Sequence, residues 1–518
     1  MMRSVNGLSR VGLIGVLWTV LVPALATAQP PSAVPPVAPP AAAPPASRLE
    51  NPAAPGPRPT DDTAPLPVPL ELMRAQPGGV TAEQVAARSA DTSFSVKAAQ
   101  ESLRGAAARV DEAWTQFLPR LSALGRYTRL STFTPPNLGT LVVYDGPPTN
   151  TNLPPGGNNL MAVPFAFPII ADNWLLQGTI NVPITDYFLR IDQGYSAATH
   201  SQDAARWDLA GSRATASANG KVAYYTWLRA RGAHAVAVQS LNDQLTHLRD
   251  ARNQFAAGNA SKADVLRAET AVASAGLALE RAKNLADLSE KQLRVAIHVG
   301  DEVSVAPAED LETGLPPVPG DVKQLTAEAL TDRAEIKSAD LNAVAARKQA
   351  EAAKAAKYPV VSAFGDAILG NPNPRIFPPS QTWFPTWDLG AQVTWSPNDL
   401  LLAGGNIADA ESRVAAIEAN KGVVRDGIEV EVTQSWQAVK EADFAIESSL
   451  RELASATEAY RVQRELFNNG RGTSTTLTDA ETELTRARLD LLNARADARI
   501  ARTRLDHALG RDLTAVAP

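Results

Sequence analysis

The chain contains no cysteine, and that absence removes several classes of protein at once. Disulfides, thiolate metal sites, a cysteine nucleophile and a lipidated N-terminal cysteine are all excluded. Histidine is scarce as well, with five residues of which no two stand at a metal-ligand spacing. We therefore expect no metal, no cofactor and no catalytic residue. The sequence has no nucleophile motif or phosphate-binding motif that would indicate an enzyme.

An excess of positive charge and long apolar runs are also missing. The formal net charge is -6, which predicts no nucleic-acid partner. Beyond the N-terminus no stretch reaches about 18 consecutive apolar residues, so we expect no membrane-spanning helix. The apolar run over residues 11–25 follows Arg3 and Arg10 and precedes Ala26-Thr27-Ala28. This pattern predicts a secretory signal peptide over residues 1–28.

Proline is distributed unevenly, and the gaps between prolines show where long helices are permitted. It is absent from residues 78–118, 184–306, 320–358 and 398–517. Because an interior proline costs a helix about 3 kcal/mol, these four stretches are the candidate helical regions. Residues 29–78, by contrast, are dominated by Pro and Ala, and we expect a disordered, extended linker there.

The strongest pattern in the sequence is a heptad repeat that occurs twice. One column reads Val265, Val272, Leu279, Ala286, Leu293, and the column three residues later reads Ala268, Ala275, Ala282, Ser289, Ala296. At an offset of 212 the same columns read Leu477, Leu484, Leu491, Ala498, Leu505 and Ala480, Ala487, Ala494, Ala501, Ala508. A sustained period of seven predicts coiled-coil helices, and alanine in one column allows their backbones to approach closely.

Strands are predicted at a nearly identical offset. Apolar and polar residues alternate over residues 174–182 and again over residues 387–395, an offset of 213. Such alternation is typical of a strand with two different environments. A further strand is predicted before each of these, over residues 121–133 and 360–369. The loops at roughly 134–172 and 370–386 are rich in Pro, Asn, Gly and Thr and are expected to be exposed.

Each half of the chain therefore has the order helix, strand, loop, strand, very long helix, tight turn, returning helix. We expect repeat 1 over residues 79–300, an inter-repeat linker over 301–324, repeat 2 over 325–512 and a tail over 513–518. The very long helices, at 189–257 and 404–469, would each span about 100 Å. Glycines at 211, 220 and 232 weaken the first by about 1 kcal/mol each, so packing must offset them or the helix breaks.

The strands raise a physical problem in a chain predicted to be exported. An open sheet whose apolar face meets lipid leaves two edges of unpaired backbone groups in hydrocarbon, and only a closed barrel avoids this cost. Closure has to come from other copies of the chain, and the helical seams also need partners around a ring. The predicted fold class is mostly α with a membrane β part: a duplicated strand pair plus long coiled-coil hairpin, assembled into a hollow oligomer.

Two motifs make a resemblance specific. Leu118-Pro119 stands before the first strand, with a weaker version at Tyr358-Pro359. The turn motif Phe255-Ala256-Ala257-Gly258 recurs as Phe467-Asn468-Asn469-Gly470. Together with the duplicated order of elements, over roughly residues 79–512, the chain resembles the TolC family of outer-membrane efflux and secretion channels. The resemblance implies a homotrimer that forms an α-barrel/β-barrel channel.

The resemblance also implies a function and a location. It implies an exit duct of a tripartite efflux pump or type I secretion system in the outer membrane of a Gram-negative bacterium, with the helices in the periplasm. Such a duct conducts passively and is served by a periplasmic adapter (membrane fusion) protein and an inner-membrane RND, ABC or MFS transporter.

Two alternatives, a periplasmic adapter and a structural coiled-coil protein, remain open at this point. An adapter would carry one hairpin between lipoyl-like and small barrel modules, and a structural coiled coil has no use for amphipathic strands flanked by tryptophan.

The resemblance finally assigns roles to residues at the two turns. The helix tips at Phe255, Gly258, Phe467, Gly470 and Arg471 would dock the adapter. Candidates for the pore constriction are Asp479, Thr476 and Asp264. Asp479 would either contribute to a ring of carboxylates at the inner aperture or, as a helix N-terminal acid, stabilise α-helix through the dipole by a few tenths of a kcal/mol. Some members form a closed-state link with a tyrosine and an arginine at positions that are Phe467 and Gly472 here, although Arg471 is adjacent and Asp264 is kept in the first repeat.

Overall fold

The computed structural model describes residues 75–131, 139–144, 160–164, 169–302, 305–318 and 320–513. The predicted signal peptide, nearly all of the Pro/Ala linker and most of the tail lie outside these residues. The helices are α1 Ala82–Thr92, α2 Phe94–Thr115, α3 Asp192–Ala256, α4 Lys262–Ala296, α5 Val322–Asp332, α6 Ala334–Lys354, α7 Asp399–Asn468 and α8 Ser474–Ala508. Single helical turns cover Ile184–Asp186, Tyr187–Ile191, Ala355–Lys357 and Arg511–Leu513.

Four strands form one antiparallel sheet. The strands are β1 Arg120–Arg129, β2 Thr140–Tyr144, β3 Leu160–Pro164, β4 Asp172–Pro183, β5 Val360–Asn371 and β6 Phe384–Thr394. The sheet order is β1-β4-β5-β6, which confirms the predicted strand pairs and joins the two repeats at β4–β5. Its edges, β1 and β6, are unpaired among the described residues.

A short hairpin of β2 and β3 lies within the stretch predicted to be only an exposed loop. β2 contains Thr, Val and Tyr and β3 contains Val, and such β-branched and aromatic residues favour extended structure. The residues around these strands are rich in Pro, Asn and Gly, so the composition of the whole stretch indicates a loop. The loop prediction is therefore wrong at these two segments.

The long helix α3 runs without a break through its glycines, and the structure shows why. A Cβ on Gly232 would lie 2.5 Å from Leu492 of α8, and one on Gly220 would lie 2.7 Å from Ser89 of α1. The missing side chains thus permit close approach of neighbouring helices. Packing offsets the intrinsic weakness of glycine at these positions.

The helices before each strand pair are divided, although the sequence predicts one helix in each region. α1 ends at Ser93, whose hydroxyl oxygen accepts a hydrogen bond from the amide of Ser95 and so caps α2. α5 ends at Arg333, which has ψ 134°. The Arg333 guanidinium is buried and forms ion pairs with Glu335 and Glu431 at 2.8 and 2.6 Å. Because Glu431 lies on α7, one of these ion pairs joins the second break to another long helix.

Two rows of helices result from the packing. α4, α3, α8 and α7 lie side by side in that order near the two hairpin turns, while α2 and α6 pack against α3, and α6 also against α7, nearer the sheet. Both heptad columns are buried or half-buried, which confirms the predicted seam. The largest buried aromatic residues, Tyr224 and Trp227 of α3, pack with Leu293 of α4 and Leu492 of α8.

Several surfaces of this single chain remain uncovered. Leu277 and Leu288 of α4 are each 54% exposed, and Val423 and Phe444 of α7 are 68% and 66% exposed. α4 and α7 are the outermost members of the row of four, so both sides of the row carry exposed apolar residues. In the described part of the chain, no helix has the length and apolar character needed to cross a membrane.

Candidate functional site at the hairpin tips

The first hairpin turn, between α3 and α4, is closed by a glycine and a capping box. Gly258 has φ +80°, and its amide donates to the carbonyl of Phe255 at 3.0 Å. This left-handed residue ends α3. The Ser261 hydroxyl oxygen accepts the Asp264 amide at 3.2 Å, and the Asp264 carboxylate accepts the Ser261 amide at 3.0 Å. Two of the backbone donors at the start of α4 are thereby satisfied.

The second turn, between α7 and α8, repeats this design with different side chains. Gly470 has φ +67°, and its amide donates to the carbonyl of Phe467 at 3.0 Å. A Cβ on Gly472 would lie 2.9 Å from the backbone nitrogen of Phe467, so only glycine fits there. Thr473 caps α8 by accepting the Thr476 amide at 3.2 Å.

The two phenylalanines of the repeated motif have opposite environments. Phe255 is 46% exposed, with the Lys262 ammonium 6.0 Å from its ring centroid. Phe467 is 5% exposed and packs edge-to-face on His247, with centroids 5.1 Å apart. Of the predicted docking aromatics, Phe255 therefore presents surface at the tip, whereas Phe467 contributes to packing between the hairpins. Arg471 is exposed.

One side chain joins the two turns directly. The Gln254 amide group donates to the main-chain carbonyl of Asn468 at 3.1 Å. The Gln254 side-chain oxygen in turn accepts from the Asn259 amide group at 3.2 Å. The tips of the two hairpins are thus connected by a short chain of hydrogen bonds.

The predicted constriction residues differ in how free their polar groups are. The Asp264 carboxylate is held by Ser261 and by Arg267 at 3.1 Å, and these hydrogen bonds, chiefly those from Ser261, lower the pKa of Asp264. The Thr476 hydroxyl donates to the carbonyl of Thr473 at 2.9 Å. Asp479 is exposed on α8. Of the three, Asp479 is the one whose charge faces solvent without serving the helix cap.

Glu481 follows the second turn motif, and the sequence analysis assigns it no role. It is 1% exposed, and among the described residues neither carboxyl oxygen has a hydrogen-bond partner. Burial, reinforced by the nearby charge of Asp243, raises the pKa of Glu481 to about 8. The heptad pattern could have found it, since Glu481 stands four residues after Leu477 and three before Leu484, on the same helix face.

Further buried polar groups lie beside Glu481. Gln244 and His247 of α3 are 6% and 2% exposed, and Ser474 of α8 is 2% exposed. The His247 Nε2 lies 3.3 Å from the Ser474 hydroxyl oxygen. Burial lowers the pKa of His247 below its ordinary value. We call Gln244, His247, Ser474 and Glu481 the buried polar layer; it spans the contact between α3 and α8 just above the turns.

The sequence also matches a known protein family over both repeats. The matching family model, described as outer membrane efflux protein, covers residues 86–297 and 325–511. The chain belongs to the outer membrane efflux protein family. It is therefore an outer-membrane efflux channel with its helical part in the periplasm, which decides against a periplasmic adapter or a structural coiled-coil protein. No curated protein sequence matches the chain significantly.

Solved structures of outer-membrane channels have the same fold as this member of the family. The channel OprN is 18% identical with a TM-score of 0.67, over 83% of this chain and 89% of OprN. VceC from Vibrio cholerae is 17% identical with a TM-score of 0.64, over 83% and 96% of the two chains. The open state of the MtrE channel of Neisseria gonorrhoeae is 18% identical with a TM-score of 0.65, over 83% and 88%. At this identity, the likeness establishes the fold.

Proposed function

We propose that three copies of this efflux protein close a single tube and that the tube passes cargo outward from an inner-membrane transporter through a periplasmic adapter. The chain would do no chemistry of its own and would serve as the exit duct of a tripartite pump or a type I secretion system. Transporters of the RND, ABC and MFS classes all suit this role. The open edges of the four-stranded sheet carry the proposal.

The faces of that sheet support closure by further copies in a lipid bilayer. The exposed fractions of Leu121 at one edge and of Trp387 and Leu389 at the other are 78%, 75% and 76%. All three lie on one face, because Leu121 pairs with Ile180 and so continues the row that reaches Leu389 through Gly365. The opposite face carries Ser122, Gln177, Thr179, Asp366, Asp388 and Gln392. Lipid outside and water inside fit this division.

The helical rows support the same assembly. α4 and α7 end the row of four, and each has exposed leucine, valine or phenylalanine on its outer side. Such apolar stripes along a helix need partner helices over their whole length. Joining α4 of one copy to α7 of the next would cover both stripes and close a ring.

We further propose that the tips dock the adapter and contain the inner aperture. Phe255, Gly258, Gly470 and Arg471 present surface at the turns, and Asp479 is exposed one helical turn beyond Thr476. Repeated around a threefold axis, Asp479 would form a ring of carboxylates that attracts cations.

Measurement of the assembly state tests the proposal. The mature protein purified in mild detergent should have the mass of three chains, and it should change its migration on a gel when heated. Introducing a charged residue at Gly258 or Gly470 should abolish export while trimers remain in the outer membrane. A water-soluble monomer that needs no detergent would contradict the channel assembly, whereas normal export by both variants would contradict docking at the tips.

A further inference from the structure

Glu481 lies at the contact between the two hairpins of one chain. Below the level of Gly232 and Leu492, α3 and α8 run side by side toward the tips. Cross-contacts along this pair connect Ser240 with Thr485 at 3.3 Å and Asp243 with Arg488 at 3.0 Å. The two helices are antiparallel, so the same register brings Gln244 to the level of Glu481.

The buried polar layer is an unusual way to join two helices. Apart from the His247–Ser474 contact, its members have polar atoms without partners among the described residues: Gln244 Oε1, His247 Nδ1 and both carboxyl oxygens of Glu481. A charged carboxylate without hydrogen bonds is strongly disfavoured in such a place. A protonated carboxyl is tolerated there, because its hydroxyl can donate a hydrogen bond to an unpaired amide oxygen such as that of Gln244.

We propose that Glu481 is a positioning residue near the hairpin tips. Its neutral carboxyl keeps α8 packed on α3, and its ionisation separates α8 from α3. The aperture proposed above is formed by the same part of α8, with Asp479 only two residues away. Separation of α8 from α3 would therefore change the width of that aperture. The effect on conduction, but not the effect on packing, rests on the proposed location of the aperture.

The charges around Glu481 come from each helix packed against it. Asp243 of α3 opposes ionisation, whereas Arg464 of α7 and Arg488 of α8 favour it. Arg488 is already paired with Asp243, and Tyr460 of α7 has its own pKa raised to about 12 by burial and by Glu481. On α4, the Asp264 carboxylate acts on His247, whose pKa it raises slightly against the effect of burial. Burial outweighs the two arginines, so the packed state retains the proton.

The sign of the pH effect follows from linkage. The packed state binds the Glu481 proton up to about pH 8, whereas a solvated glutamate loses it near 4.5. Between these values a rise in pH favours the separated state by about tenfold per pH unit, and above pH 8 the ratio levels off. His247 has a lowered pKa and would disturb the contact only when it gains a proton at acid pH. Measurements above about pH 6.5 therefore isolate Glu481.

Spin labels can measure the separation directly, because the chain has no native cysteine. Arg249→Cys on α3 and Thr482→Cys on α8 place both labels at exposed positions near the contact. The labelled chain is diluted with unlabelled chain and assembled in detergent. The distance between its two labels is then measured by double electron–electron resonance spectroscopy. From about pH 6.5 to about pH 8 we expect a rise of roughly 15-fold in the ratio of separated to packed populations, which levels off at roughly 30-fold above about pH 9.

Two variants and a measurement of single-channel conductance distinguish the possible results. Glu481→Gln keeps the shape but cannot ionise, so its distances should not change over this pH range, whereas Glu483→Gln, an exposed matched control on α8, should respond as the unmodified protein does. Constant distances in the unmodified protein, or an unchanged response in Glu481→Gln, would overturn the proposal. If the distances change while single-channel conductance stays constant, the inference about Glu481 stands and the proposed location of the aperture is wrong.

Discussion

At the scale of single residues, side chains of similar chemistry acquire different environments from their place on a helix. Asp479 and Glu481 are two acidic residues on one helix, yet the first is exposed and the second is 1% exposed. A helix turns by about 100° per residue, so a shift of two residues moves a side chain to another face. Our proposals accordingly assign the exposed carboxylate to the channel aperture and the buried carboxyl to helix packing.

The exposed carboxylate leads to a prediction about ion block. If Asp479 lines the aperture, millimolar divalent cations should reduce single-channel conductance, and Asp479→Ala should remove most of that block because the ring of charge is lost. Glu483→Ala removes an equally exposed carboxylate from the same helix and should leave the block intact. Equal block in Asp479→Ala and the unmodified protein would assign Asp479 to the helix dipole instead.

The sequence alone locates the hairpin tips but does not show which of the residues there are exposed and which are buried. The glycines at both turns and the capping pattern around Ser261 are local signals, and they place the turns correctly. Whether Phe255 or Phe467 is exposed depends on His247, which is more than two hundred positions from Phe467 in the sequence. Contacts between distant segments decide burial, and one sequence does not reveal them.

At the scale of elements, the long helices follow from periodic patterns in the sequence, whereas one of the two helix breaks lies at a contact between distant segments. The heptad columns predict α4 and α8, and prolines delimit α3 and α7 well. The division at Arg333 has no proline or glycine beside it, and the feature that the structure shows there is an ion pair with Glu431 of another helix. Patterns with a short period are visible in a sequence, whereas a single long-range ion pair is not.

Two glycines of α3 give opposite predictions for stability. Gly194→Ala introduces a Cβ that meets no atom within 4 Å, so it should stabilise the helix by about 0.5–1 kcal/mol and raise the melting temperature. Gly232→Ala brings a Cβ to 2.5 Å from Leu492, so it should destabilise the α3–α8 contact by about 1–3 kcal/mol.

Circular dichroism melting of the detergent-solubilised protein measures both changes. The two variants share one helix and one chemical change, so each serves as the control of the other. Equal shifts in the same direction would show that close packing is not the reason for glycine at position 232.

At the scale of the whole molecule, the single chain is incomplete in two separate places. The sheet has unpaired edges and an exposed apolar face, and the row of helices has exposed apolar residues on both of its outer members. The β4–β5 pairing joins the two repeats within one chain, so further pairing has to involve β1 and β6. Both places can be completed together by copies arranged around one axis.

The membrane face of the sheet can be tested with one charge. Leu389→Arg puts a guanidinium on the apolar face, which costs about 2–4 kcal/mol at the middle of a bilayer, and the variant should be depleted from the outer membrane fraction. Gln392→Arg changes the polar face of the same strand and should insert normally. Fractionation followed by immunoblotting gives both results. Depletion of the Gln392 variant alone would mean that the two faces have been assigned the wrong way round.

The helical ring leads to a separate prediction. Phe444→Glu adds a charge to the outer side of α7, where Phe444 is 66% exposed in the single chain. If this side packs on another copy, the variant should remain helical but fail to form trimers in cross-linking. Glu452→Lys changes an exposed side chain about 80° around the same helix from Phe444, so this variant should assemble. Full assembly of the Phe444 variant would show that this side of α7 does not contact another copy of the chain.

The hydrogen bond from Gln254 to residue 468 has an evolutionary consequence. Its acceptor is a main-chain oxygen, which every amino acid at position 468 supplies equally. Mutation at that position therefore exerts no selective pressure on Gln254 through this bond. Searches for correlated substitutions between the two turns would find no signal for a connection that is nevertheless physically present.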